Sequence, residues 1–136
     1  MPGKILKVTN AKFSILVDKS QNLLFLKENE GILKTYTVAT GMNNSTPVGT
    51  FKVKDKLISP TWYKPDGGGP IKPDNADYQL GSRWMGITAD SYGIHGTKDP
   101  ESIGKQITNG CVRMLNQDVE ELYDIVPVGT EVTIVD

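Results

Sequence analysis

The sequence predicts a mainly β domain with one clear short helix, and three observations carry that expectation. Apolar and polar residues alternate through several stretches at the period of two that marks half-buried strands. Fourteen glycines and eight prolines stand among the 136 residues. Together they make about 16% of the chain against an average near ~12%, which calls for many turns and argues against a helical bundle. One stretch, at about residues 116–126, carries a helical period instead.

The first forty residues read as an antiparallel meander. Phe13, Ile15 and Val17 alternate with polar or smaller partners, Asp18 to Asn22 is a turn cluster, and Leu23 to Lys27 is a second apolar run. Asn29-Glu30-Gly31 reverses the chain again, and Ile32 to Thr40, rich in β-branched and aromatic residues, is a third strand. Gly41 to Ser45 is polar loop. Pro-Val-Gly-Thr occurs at 47–50 and again at 127–130, each time before an alternating segment, so both copies read as strand-entry turns. The first leads into Thr50 to Lys54.

Pro60, Pro65, Pro70, Pro73 and Gly67-Gly68-Gly69 predict a long irregular loop over about 59–83, of the length that forms lids and binding walls or else a passive excursion. The glycine triplet lacks the G-x-x-x-x-G-K-[ST] spacing of a phosphate loop. A second short helix fits around Pro100 to Gln106. The clear helix begins near Asn116 or Asp118, both suitable N-caps. Val119, Leu122, Tyr123 and Val126 form its apolar face. Pro127 stops it, and Glu131 to Val135 closes the chain as a strand with Val132 and Ile134 on one side.

Composition narrows the function. With 38% hydrophobic residues, 23% charged and a net charge of −1, the chain can enclose one core and fits neither acidic disorder nor a nucleic-acid polycation. No apolar run approaches the ~18 residues of a membrane span. Met1-Pro2-Gly3-Lys4 lacks the apolar stretch of a signal peptide, which suggests a cytosolic protein or a domain cut free of its export signal. The single cysteine excludes an internal disulfide and a multi-cysteine zinc site, and the single histidine excludes a two-histidine metal centre.

Those two residues carry the chemistry. Gly93-Ile94-His95-Gly96-Thr97 and Thr108-Asn109-Gly110-Cys111-Val112-Arg113-Met114 place fifteen residues between imidazole and thiol. Taken separately, a lone cysteine is most often a small buried residue and a lone histidine a satisfied one. Taken together, both lie beside glycines that let backbone approach a substrate closely. A thiol with pKa near ~8.5 needs an adjacent base to act at neutral pH. An imidazole near ~6.5 can take that proton and return it to a leaving amine. Asn109-Gly110 is a sharp-turn dipeptide able to aim the N–H groups of Gly110 and Cys111 at one point, where an oxyanion could sit. Arg113 could bind a substrate carboxylate or brace the loop.

The pattern H-G-T, then [ST]-x-G-C-[VI]-R-[ML], then a helix and a terminal strand, resembles the L,D-transpeptidase catalytic domain, the YkuD-like family. Thr40-Gly41, Thr46 to Phe51, Pro60-Thr61-Trp62, Leu80-Gly81 and Gly93 to Thr97 look like family landmarks in family order. The resemblance covers about residues 11–136 of a chain read as a single domain over 1–136. It implies a β-sandwich-like catalytic fold acting on peptidoglycan stem peptides as donor and acceptor, outside the cytoplasm in the cell envelope. Cys111 would attack the L-to-D peptide bond of a donor tetrapeptide, D-alanine would leave, and an amine acceptor or water would resolve the thioester. His95 would be the base, oriented by the Gly96 carbonyl, and the N–H groups of Gly110 and Cys111 would form the oxyanion hole. Arg113, Thr108, Asn109 and Trp62 would contact substrate. Asn109 stands where many members carry a second histidine, so any role of that imidazole is missing or filled by an amide. The resemblance implies neither metal nor organic cofactor, no nucleic acid and no membrane span. Two alternatives remain: a sortase-like or other Cys–His acyl transferase or hydrolase, and a non-catalytic wall-binding module using Trp62, Tyr63, Tyr78 and Trp84 against glycan.

Overall fold

The computed structural model describes residues 12–63, 70–75, 78–89, 92–97, 99–108 and 110–136. The expected meander is present. β1 (Phe13–Asp18), β2 (Leu23–Glu28) and β3 (Gly31–Thr37) pair antiparallel, with Asn22 and Asn29 at positive φ in the two turns. The third strand stops at Thr37 and not at Thr40. There the chain leaves the sheet, because Val38 N–H donates to the Asn22 carbonyl at 2.9 Å and Thr40 Oγ1 to Asn22 Oδ1 at 2.8 Å. Thr40–Gly41 becomes β4, a separate two-residue strand.

The remaining strands are β5 (Gly49–Ile58), β6 (Trp62–Tyr63), β7 (Pro70–Ile71), β8 (Arg83–Ile87), β9 (Gly93–His95), β10 (Gln106–Thr108), β11 (Val112–Arg113) and β12 (Glu131–Val135), with helix α1 at Asn116–Ile125 between the last two. Eight strands form one sheet in the order β11-β9-β8-β5-β12-β1-β2-β3. β12 lies parallel to β1 and antiparallel to β5, joining the N-terminal meander to the site-bearing half. Two further pairs, β10 with β4 and β6 with β7, stand outside that sheet.

One apolar cluster unites both ends of the sheet. Ile15, Val17, Leu24 and Leu26 belong to it together with Met85, Ile87, Ile94 and Val112, and the sheet curls to bring them together over Val119 and Leu122 of α1. Each such side chain, fully buried, contributes on the order of 2 kcal/mol. Of the expected helix face, Val119 and Leu122 are buried, Tyr123 is half-buried, and Val126 is buried just past the helix end. Its start differs: Leu115 occupies the cap position without a side-chain cap, and the Asn116 side chain reaches across to Ser82 instead. A capping residue has to turn back on its own helix, whereas this carboxamide has a partner in the next layer.

Among its described residues the 59–83 region is the expected irregular stretch, interrupted by one short strand pair. β5 runs on to Ile58, and β6 pairs antiparallel with β7. Tyr78 Oη donates to the Pro60 carbonyl at 2.5 Å and ties the region down. Pro65 and the glycine triplet lie outside the described residues. Around Pro100 only a single 3-10 turn forms, over Pro100–Ser102, after which β10 begins at Gln106. Among the described residues no helix is long and apolar enough to cross a membrane.

Candidate active site

The site is decided by two adjacent strands. β9 and β11 pair in parallel with Ile94 beside Val112 and His95 beside Arg113. Side chains alternate across a sheet, so Ile94 and Val112 enter the core together while His95 and Arg113 face the other way. Cys111, one residue before Val112, shares that second face. His95, Cys111 and Arg113 accordingly line one cleft of about 660 Å³. Trp62, Tyr63, Leu57, Pro60 and Thr61 form one wall, and Gln79, Leu80, Trp84, Tyr92 and Thr108 complete it. The thiol and the imidazole therefore meet at a common opening.

His95 is only 4% exposed. Its Nδ1 lies 2.7 Å from the Gly96 carbonyl oxygen, an acceptor, so Nδ1 carries the proton and Nε2 is left with its lone pair. Trp84, the direct cross-strand partner of His95, stacks on the ring. Burial pulls the His95 pKa down to about 4, helped by the Arg113 charge and opposed by the Gly96 hydrogen bond. Burial pushes the Cys111 thiol up, opposed by a backbone hydrogen bond at Gly93 and by Arg113. Both shifts favour uncharged forms, so the resting pair at neutral pH is a thiol and a neutral imidazole.

The turn before the cysteine is braced by Thr108. Gly110 N–H donates to Thr108 Oγ1 at 3.1 Å, and Thr108 Oγ1 donates to the Cys111 carbonyl at 2.7 Å. The Gly110 N–H and the Thr108 hydroxyl are thus both engaged in bracing the turn. The chain passes Gly110 at φ +127° with a Cβ position overlapping the Tyr92 ring, a conformation L side chains resist. Gly41 supports the turn from behind: a Cβ there would lie 2.9 Å from Gly110 Cα and 2.8 Å from Thr46 N. Asn109 lies outside the described residues.

Arg113 is held through its backbone, which exchanges two 2.8 Å hydrogen bonds with Ala39. Its Nε is buried and has no hydrogen-bond partner among the described residues. A buried guanidinium nitrogen in a cleft wall is suited to a carboxylate. Trp62 also lines the cleft, half-buried on β6. Sequence reasoning missed the supporting residues: the Trp84 stack, the Tyr92 contact and the Asn116 bridge. Leu80-Gly81 and Thr40-Gly41 were visible only as landmarks, with nothing in the sequence to say what packs on them.

The model of the L,D-transpeptidase catalytic domain family, YkuD, matches residues 12–134. YqjB of Bacillus subtilis, which carries an L,D-transpeptidase name, is 40% identical over 130 residues, covering 90% of this chain and 70% of that protein. YkuD of the same organism is 39% identical over 123 residues, covering 90% of this chain and 65% of its own length. Among solved structures, an L,D-transpeptidase from Mycobacterium smegmatis superposes with a TM-score of 0.78 at 19% identity, over 93% of this chain and 59% of that one. L,D-transpeptidase 3 from Mycobacterium tuberculosis, in complex with a faropenem-derived adduct, gives 0.78 at 18% identity, over 93% and 61%. The chain thus spans about two thirds of its curated relatives and less of these solved proteins.

Proposed function

Because the chain belongs to the L,D-transpeptidase catalytic-domain family, we propose that it is a cysteine acyltransferase acting on the stem peptides of peptidoglycan in the cell envelope, outside the cytoplasm. The observation that carries this reading is the cleft itself, in which the chain's one thiol and one imidazole share a wall with the imidazole fixed in the Nδ1–H tautomer.

In the proposed reaction the donor tetrapeptide lies along the cleft with its third residue's carbonyl over Cys111. Arg113 Nε takes a carboxylate of the donor, and Trp62 packs against the stem. His95 Nε2 removes the thiol proton as sulfur attacks, so charge appears only as the bond forms. The tetrahedral oxyanion is held by the Cys111 N–H, and one such donor is worth about 3 kcal/mol. Gly110 keeps the turn in place. The imidazolium then gives its proton to the departing D-alanine amine and leaves a thioester. A side-chain amine of a second stem attacks the thioester with neutral His95 again as base, giving a 3→3 cross-link; water in its place gives carboxypeptidase activity. Acylation of Cys111 by a carbapenem follows the same path, and an L,D-transpeptidase of similar fold has been solved in complex with imipenem.

The test is incubation with a defined tetrapeptide muropeptide, read by mass for released D-alanine, cross-linked dimer and tripeptide. Dimer or tripeptide that Cys111→Ser and His95→Ala both abolish is expected. Unchanged substrate, with no carbapenem adduct on the folded protein, would overturn the enzymatic reading in favour of a wall-binding module.

A further inference from the structure

We propose that Asn116 is a positioning residue for His95: its carboxamide, wedged against Gly81 and Gly96, fixes the carbonyl that holds the imidazole in its working tautomer. The inference rests on the reading of His95 as the base.

The contacts form a continuous stack behind the ring. Asn116 Oδ1 accepts the Ser82 N–H at 3.0 Å. A Cβ built on either Gly81 or Gly96 would overlap that same oxygen, and one on Gly81 would also fall 2.5 Å from Gly96 Cα. The oxygen and the two glycine Cα atoms thus touch with no side chain between them, and Gly81 has φ +64°, a region that itself favours glycine. Gly96 N–H donates to the Leu80 and Arg83 carbonyls, both at 3.2 Å. With its N–H tied to one segment and its Cα pressed by Asn116, Gly96 has little freedom to swing its carbonyl. That carbonyl is the one 2.7 Å from His95 Nδ1.

The tautomer matters because only an Nδ1–H imidazole offers Nε2 as a base. Imidazole in water prefers the other form, so the preference must come from its hydrogen-bond partner. Helix α1 does not use this side chain as a cap, since its cap position has no side-chain hydrogen bond. Asn116 is instead, with Val119 against Gly96 and Glu120 against Ser82, one of the side chains through which α1 touches the layer supporting His95. The charged group that acts on the ring's protonation is Arg113, and Cys111 shares the cleft with it.

The chain's single histidine makes the test clean. With histidine labelled by 15N, one set of ring signals reports tautomer and protonation, and it does so without substrate. The wild type is expected to show Nδ1–H at neutral pH. Asn116→Ala is expected to shift the ring toward Nε2–H and to lower kcat on the tetrapeptide at least about tenfold with KM little changed, as expected for an effect on the chemical step. Asn116→Asp keeps an oxygen in the same place, so it should retain Nδ1–H while its charge raises the ring's midpoint by about one unit. A folded Asn116→Ala protein with an unchanged Nδ1–H signal would overturn the proposal. Should Asn116→Ala fail to fold, Asn116→Asp decides: a raised midpoint supports the contact, and an unmoved one overturns it. A shifted tautomer in a protein that never turns over the tetrapeptide would leave the positioning intact and sink only the enzymatic reading.

Discussion

The rings of Trp84 and His95 lie stacked, with centroids 6.0 Å apart and planes 22° from parallel. They are direct partners across β8 and β9, so the indole covers one face of the only imidazole in the chain. An imidazolium is costly where water cannot reach it, and this cover is part of the burial that lowers the ring's pKa to about 4.

Trp84→Leu should therefore let water onto the ring and raise its midpoint from about 4 toward the ordinary 6.5. The histidine ring-proton titration measures this directly. A midpoint that stays put would show that the rest of the site supplies the shielding.

The same shift makes stability depend on pH. His95 has a folded pKa below its unfolded value, so between pH 6.5 and about 4 the unfolded chain takes up a proton that the folded chain refuses. The contribution of neutral His95 is complete above 6.5, declines as pH falls, and levels off below about 4. The total is about 3 kcal/mol. Urea unfolding at pH 7 and pH 4 should show wild type losing about that much more than His95→Gln. Equal losses in the two proteins would refute the linkage.

Thr108 holds the nucleophile turn by two hydrogen bonds, from Gly110 N–H and to the Cys111 carbonyl. Thr108→Val keeps the shape and strands both groups, at a cost of about 1–3 kcal/mol. Turnover should fall, and Thr108→Ser should restore both stability and rate. Failure of serine to restore them would mean the methyl group, not the hydroxyl, is what the turn needs.

An activated cysteine is often expected to alkylate quickly, and the Cys–His pairing in the sequence suggests that. Burial of the thiol predicts the opposite. With the thiol pushed up by burial and the imidazole neutral, iodoacetamide should modify resting Cys111 more slowly than free cysteine at pH 7, with a rate that rises as pH increases. Fast alkylation at pH 7 would indicate a preformed thiolate–imidazolium pair.

The sequence by itself determined the strand-rich class, the meander over residues 13–37, the helix face Val119–Leu122–Val126 and the closing strand. Each depends on local periodicity or on turn residues, which neighbours in the chain are enough to set. It also singled out His95 and Cys111, because a chain with one of each, both beside glycine, leaves few other candidates. What it could not reveal is which residues touch across the fold. The parallel pairing of β9 with β11 puts imidazole and thiol on one face, the β8–β9 pairing sets Trp84 on the ring, and Tyr92 and Asn116 pack on Gly110 and on Gly81 and Gly96. The bracing of the nucleophile turn by Thr108 became visible for the same reason. Hydrogen bonds between residues two and three apart need a particular backbone turn, and only the folded geometry decides whether that turn is made.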